Sequence, residues 1–263
     1  MVLLMSLPLG VLIVGGMGCA LLVALGGWLA MRALLPTAER DTVHTIAGPL
    51  MSPLGTVFAI FMALSLATEA NFLASAQGIV GNEAADASRL AWAATSPGVK
   101  SEPIQSALLD YLQAIRAYEW HGPDAADGND AATKHAIASL ENAVRIQAMS
   151  PALGTPTRSE LLDSLDALSE DRGDRLAAAS HQLPTFYVIV LLITGAALIV
   201  DAAALALRSS RRSAMLVGML AIVIGLSLAL LFALGTPWLG PITVSGQPID
   251  NIVQGLKIGY FQL

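Results

Sequence analysis

Glu69 and Asp201 are carboxylates set in or against long apolar runs. An acid at the centre of a bilayer costs about 2.5–3.5 kcal/mol on insertion scales, so such groups face protein or water. They serve as half of an ion pair or as a station on an ion pathway. Asp201 precedes Arg208 by about two helical turns, which makes Arg208 or Arg40 its natural partner. Glu69 falls at the end of its run, where a hydrated, interfacial carboxylate is the plain reading.

Other chemistry is not written in the chain. There is no phosphate loop, dinucleotide fingerprint, nucleophile elbow, or Cys or His pair at metal spacing. Asp124, Asp127, Asn129 and Asp130 lack the spacing and closing Glu of a calcium loop and read as a solvated loop. No catalytic residue, metal ligand or cofactor is expected, and the chain does not read as an enzyme. Cys19 stands alone within an apolar run and reads as a buried packing residue.

A third pattern is physical rather than reactive. Ser52, Thr56, Ala59, Ala63, Ala67, Asn71, Ser75, Gly78 and Asn82 recur every three or four residues, and every one is small or polar. On a helix they share one face, while Phe58, Phe61, Leu64, Phe72 and Leu73 take others. Such a stripe lets helices pack closely in lipid. Repeated around an axis, it would line a pore.

The elements that carry these residues follow from composition. Hydrophobic residues make up 55% of the chain and charged residues 13%, against about a quarter charged in soluble domains. Val2 to Met31 has no charge, nor have Ile46 to Thr68 or Ser213 to Ile249, and Pro184 to Leu207 has only Asp201. Each window exceeds the ~20 residues that cross a bilayer. The first lacks a basic leader and is about twice the length of a signal-peptide core, so a retained helix is expected.

The fold class that results is an all-α integral membrane protein. Four transmembrane helices stand in a 2+2 arrangement with a helical extramembrane domain inserted between the pairs. The first span covers 1–35, and a long second helix covers 46–94, with its membrane part at about 46–69. The domain covers 83–183, the further spans 184–208 and 213–238, and an interfacial tail 239–263. Pro49 and Pro53 fit the opening of the second helix, and Ser96-Pro97-Gly98 ends it. Within the domain, Ser101 and Asp130 read as caps, and Thr157 with Glu160 as a capping box. Ile249, Ile252, Val253 and Leu256 suit a short amphipathic helix lying at the interface.

The domain holds 15 acids against 8 bases, which argues against nucleic acid as a partner. Arg32, Arg40, Arg208, Arg211 and Arg212 flank the two short connections. By the positive-inside rule those connections are cytoplasmic and the domain lies outside. The expected setting is a bacterial inner (plasma) membrane.

The run from His44 through Gly48, Gly55 and Phe58 to Asn82-Glu83-Ala84 and Leu90 resembles the second span of the bacterial bestrophin-like family. Tyr111 with Glu119-Trp120 looks like that family's following helix. Arg172, Arg175 and Leu183-Pro184 resemble its entry into the third span, and Pro237, Gly240, Ser245 and Pro248 its closing loop. Ala70 to Leu73 stand where the family pattern has a Trp and a Tyr. The resemblance implies a tie to bestrophins: pentameric anion channels whose second helix lines the pore and whose helical domain faces the cytoplasm. The orientation so implied opposes the arginine rule, and the direct reading of the arginines is preferred. Two functions are then expected: a homo-oligomeric, channel-like assembly for small anions, or a membrane-anchored helical scaffold whose acidic domain binds a protein.

Overall fold

A computed structural model of the protein describes residues 7–120, 123–208 and 211–262, of which 37–39, 41, 123, 124, 208, 211 and 212 are described by backbone alone. The described residues form helices α1 (Leu9–Leu34), α2 (Thr37–Ala93), α3 (Ser101–Tyr118), α4 (Ala131–Ala148), α5 (Thr155–Ala179), α6 (Thr185–Leu205), α7 (Arg211–Leu234) and α8 (Gln247–Lys257). Four of these, α1, α2, α6 and α7, are long and apolar enough to cross a membrane. The chain divides into two units.

One unit contains residues 1–71 and 182–236 with 240–242. Its core joins Ala20, Ala24, Phe58, Met62, Leu191, Leu198, Ala221, Ile224 and Leu231. Helix approach here depends on missing side chains. A Cβ built on Gly16 would stand 2.7 Å from the carbonyl oxygen of Gly225, so α1 and α7 touch through backbone. Gly195 of α6 gives the same room to the ring of Phe58. Close approach of this kind maximises van der Waals contact where lipid offers no hydrophobic drive.

The other unit contains residues 72–181, 237–239 and 243–263. The end of α2 contributes Ala76, Val80, Ala84, Ala87 and Leu90 to its core. Ile104, Leu108, Leu112 and Ile115 of α3 meet them, with Leu140 and Val144 of α4 and Leu161, Leu165 and Leu168 of α5. Gly98, at φ +88°, makes the left-handed turn after α2 that a Cβ would strain.

Several local expectations change. α2 begins at Thr37, so Pro49 and Pro53 lie inside it rather than in its first turn. Their four-residue spacing puts both interruptions on one face, and membrane helices tolerate such breaks. Asp130 caps α4, accepting from the Thr133 amide at 2.9 Å. Ser101 caps nothing, because α3 starts at Ser101 itself after Lys100. The box at Thr157 is not formed, because Pro156 lets α5 start at Thr155 behind Gly154.

The tail also differs. Ile249 is fully buried, and Ile252, Val253 and Leu256 pack on the domain core beside Trp238, Val244 and Phe261. Protein therefore covers the apolar face of α8. Gln77 fastens the segment before it: its amide donates to the Ser245 carbonyl at 3.2 Å and accepts from the Ser245 amide at 2.8 Å. Cys19 is exposed rather than buried. The turn residues Ser209 and Ser210, and His121 and Gly122 after Trp120, lie outside the described residues.

Candidate functional site

α2 carries two faces of opposite fate. In the membrane unit Phe58, Met62, Ser65 and Glu69, spaced by three or four residues, are buried. Ser52, Thr56, Ala59, Ala63, Ala67 and Asn71 are all exposed, and Leu64 beside them is exposed as well. In the domain the same helix buries Ala76, Val80 and Glu83 and exposes Ser75, Gly78 and Asn82. The Thr56 hydroxyl donates to the Ser52 carbonyl at 2.9 Å, so it is satisfied within its own helix. Thr68 does the same to Leu64.

The two membrane acids sit apart from this face. Glu69 is 2% exposed, a buried group rather than the hydrated one expected at an interface. Its place on the helix explains the difference, since it continues the inward row of Phe58, Met62 and Ser65. Asp201 on α6 has its Oδ2 buried without a hydrogen-bond partner among the described residues. Arg40 does not pair with it: its guanidinium caps the end of α1, donating to the Leu35 and Arg32 carbonyls at 3.0 and 2.6 Å. The Arg208 side chain lies outside the described residues.

Charge is concentrated instead in the domain core. Arg175 of α5, fully buried, donates through Nε to Glu83 Oε2 at 2.7 Å and through Nη2 to Glu119 Oε2 at 3.0 Å. Arg172, one turn back, binds the other oxygen of Glu119. The Tyr111 hydroxyl donates to Glu83 Oε1 at 3.2 Å. Burial, and then the Glu83 charge, push the Tyr111 phenol well above its ordinary value. Burial works against the Arg175 cation, but Glu83, Tyr111 and Glu119 outweigh it and raise its pKa.

The Trp120 ring closes the group, with the Arg175 guanidinium 5.9 Å and that of Arg116 4.5 Å from its centroid. Arg116 in turn grips Asp250 of α8 with two bonds, at 2.7 and 3.0 Å. All four carboxylate oxygens of Glu83 and Glu119 are thus occupied. Two acids and two guanidiniums balance, with Arg172 Nε buried and without a hydrogen-bond partner among the described residues. The network is structural, and the exposed face of α2 is the candidate site.

Glu83, Tyr111, Glu119, Trp120, Arg172 and Arg175 all belong to the family likeness read from the sequence, which held no sign that they meet, and Arg116 and Asp250 were not part of it. Glu83, Glu119 and Arg175 are separated by dozens of residues, so no spacing rule joins them. The remaining motif positions shape the backbone. Pro184 caps the start of α6, Pro237 accepts from the Val244 amide at 2.9 Å, and the Gly240 amide donates to Thr236 at 2.8 Å.

Solved structures share this arrangement of helices. A bacterial bestrophin homologue from Klebsiella pneumoniae matches with a TM-score of 0.71 at 13% identity, over 95% of this chain and 98% of its own. A variant of the same homologue matches with a TM-score of 0.72 at 14% identity, over 94% and 98%. No curated protein matches the chain. The bestrophin-like domain matches residues 18–249, which is most of the sequence, and the chain therefore belongs to the bestrophin-like family.

Proposed function

We propose that the protein is a homo-oligomer, pentameric by analogy, in which α2 of each copy surrounds a central axis and its exposed small and polar face lines a path for small anions. The observation that carries this reading is the division of α2. Each of the nine small or polar positions from Ser52 to Asn82 is exposed in the protomer, whereas Phe58, Met62, Ser65 and Glu69 are buried. None of the nine residues is a carboxylate that would favour cations, as acid rings do in cation pores. The arginine distribution supports placing the domain outside the cytoplasm.

One experiment tests both parts. In a Cys19→Ser background, single cysteines at Thr56, Ala63, Ala67 and Asn71 should react with small water-soluble thiol reagents, since thiolate forms where water reaches. Cysteines at Phe58 and Met62 should not. Ala63→Trp should then abolish anion conductance in bilayers with the oligomer intact. Dissociation of the oligomer by the same Trp would identify a packing seam instead. Silence at all four positions, with no conductance from assembled protein, would leave the scaffold. In right-side-out vesicles an impermeant reagent should label Asn82→Cys, and protection there would reverse the orientation.

A further inference from the structure

We infer that Arg89 of α2 is the anion-selecting residue of this protein, a cation that each copy sets into the path at the far end of the exposed face. The inference rests on the channel reading proposed above. The period of that face continues past Asn82: Ala85, Arg89 and Trp92 follow at steps of three and four residues, and all three are exposed. By helical geometry Arg89 stands within about 40° of Asn71, Ser75 and Asn82 around the helix.

The other charges of α2 are turned away from that face. After Asp41 the charged residues of the helix are Glu69, Glu83, Asp86 and Arg89. Glu69 and Glu83 are buried, Asp86 is half-buried, and Arg89 alone is exposed. Asp86 stands three residues from both Glu83 and Arg89, about 60° round the helix from each, so it flanks the exposed row. The Arg89 guanidinium is also uncommitted. Arg116, Arg172 and Arg175 are held by carboxylates, whereas no hydrogen bond or ion pair holds Arg89 among the described residues. Its backbone, by contrast, is fixed. Ala87, Leu90 and Ala91 are fully buried around it, and Gln105 donates to the Ala91 carbonyl at 3.3 Å. Trp92 meets the rings of Tyr260 and Phe261 edge-on at 5.7 and 5.3 Å. A free charge on a rigid helix suits an ion in transit, which must be attracted without being trapped.

The domain as a whole repels anions, with 15 acids against 8 bases between 83 and 183. In physiological salt those charges reach over a Debye length of only about 8 Å, so an acid on the outer surface counts for little at the axis. A ring of guanidiniums, one from each copy on the row that faces the axis, stands nearest the ion and sets the sign it meets. Rings of Arg or Lys favour anions as acid rings favour cations. A focused field of one sign raises the local counter-ion concentration by about 10–1000-fold. The small residues supply the room, and Arg89 supplies the sign.

The test is the reversal potential of the full-length oligomer in planar bilayers under a potassium chloride gradient. Wild type should favour chloride. Arg89→Glu should lower the chloride-to-potassium permeability ratio by about tenfold or more, and Arg89→Lys should keep it. Arg145→Glu makes the same charge change at another exposed arginine, on α4, and should leave the ratio unchanged. In a Cys19→Ser background, Arg89→Cys should regain chloride preference with a positively charged thiosulfonate reagent and lose it with a negatively charged one. A merely structural arginine would not respond in that way, and this variant serves if Arg89→Glu fails to fold. A conducting wild type that favours potassium, or the same ratio in wild type, Arg89→Glu and both modified forms, would overturn the assignment and leave the channel standing. Equal effects of Arg89→Glu and Arg145→Glu would also overturn it, in favour of the charge of the whole domain. An assembled wild type that never conducts would overturn the channel reading and this assignment together.

Discussion

The two units of this protein hold themselves together by opposite means. In the domain, specificity comes from charge: Arg175 meets Glu83 and Glu119, Arg172 completes Glu119, and Tyr111 completes Glu83. In the membrane unit it comes from size. Gly16 and Gly225 bring backbones together, Gly195 admits Phe58, and the hydroxyls of Thr56, Thr68, Thr194 and Ser227 bond their own helices. Where water competes, complementary charges choose a partner. Where lipid surrounds, shape does so.

The contrast is broken most severely at Arg175. Arg175→Met leaves the buried Glu83 without a cation and Glu119 with Arg172 alone, and should cost about 3–5 kcal/mol, read as loss of folded protein in thermal or denaturant unfolding. Adding Glu83→Gln and Glu119→Gln should restore much of that loss, because burial without charge is cheaper than burial without a partner. Single and triple variants of equal stability would show that the network contributes no specificity.

The membrane unit should respond to volume instead. Gly225→Leu forces α1 from α7 and should cost about 1–3 kcal/mol through overpacking, seen as a lower melting temperature. Gly18→Ala, with open space around its Cβ position, should leave stability unchanged or improve it by up to about 1 kcal/mol through helix propensity. Equal effects at the two glycines would remove size as the organising principle. The smallest expected effect is at a helix end: Asp130→Ala takes one capping bond from α4 and should cost about 1 kcal/mol. An unchanged denaturation midpoint would show that solvent replaces the cap.

Legibility in the sequence follows the same division. The spans were readable because a run of apolar residues is a one-dimensional signal. The long α2 was readable because no proline interrupts it between Pro53 and Pro97. The stripe was readable as period, but only the folded protomer shows which positions are covered. The charged core was not readable, because each contact joins residues far apart. The amphipathic period of α8 revealed an apolar face without its cover, and core residues such as Trp238 and Phe261 took the place assigned to lipid. Ser101 and Thr157 failed as caps because the helices start one and three residues earlier, behind Lys100 and Gly154.

The clasp between Gln77 and Ser245 has a consequence for biogenesis. The two residues are 168 positions apart, and both belong to the domain. At about 5–20 residues per second, Ser245 leaves the ribosome roughly ten to thirty seconds after Gln77. During that interval the two last spans must be made and handed to the membrane while the pocket for Ile249 stands open. The domain thus matures after the polypeptide around it has been inserted, and a nascent chain stalled before Trp238 would present an unfinished core to chaperones and proteases.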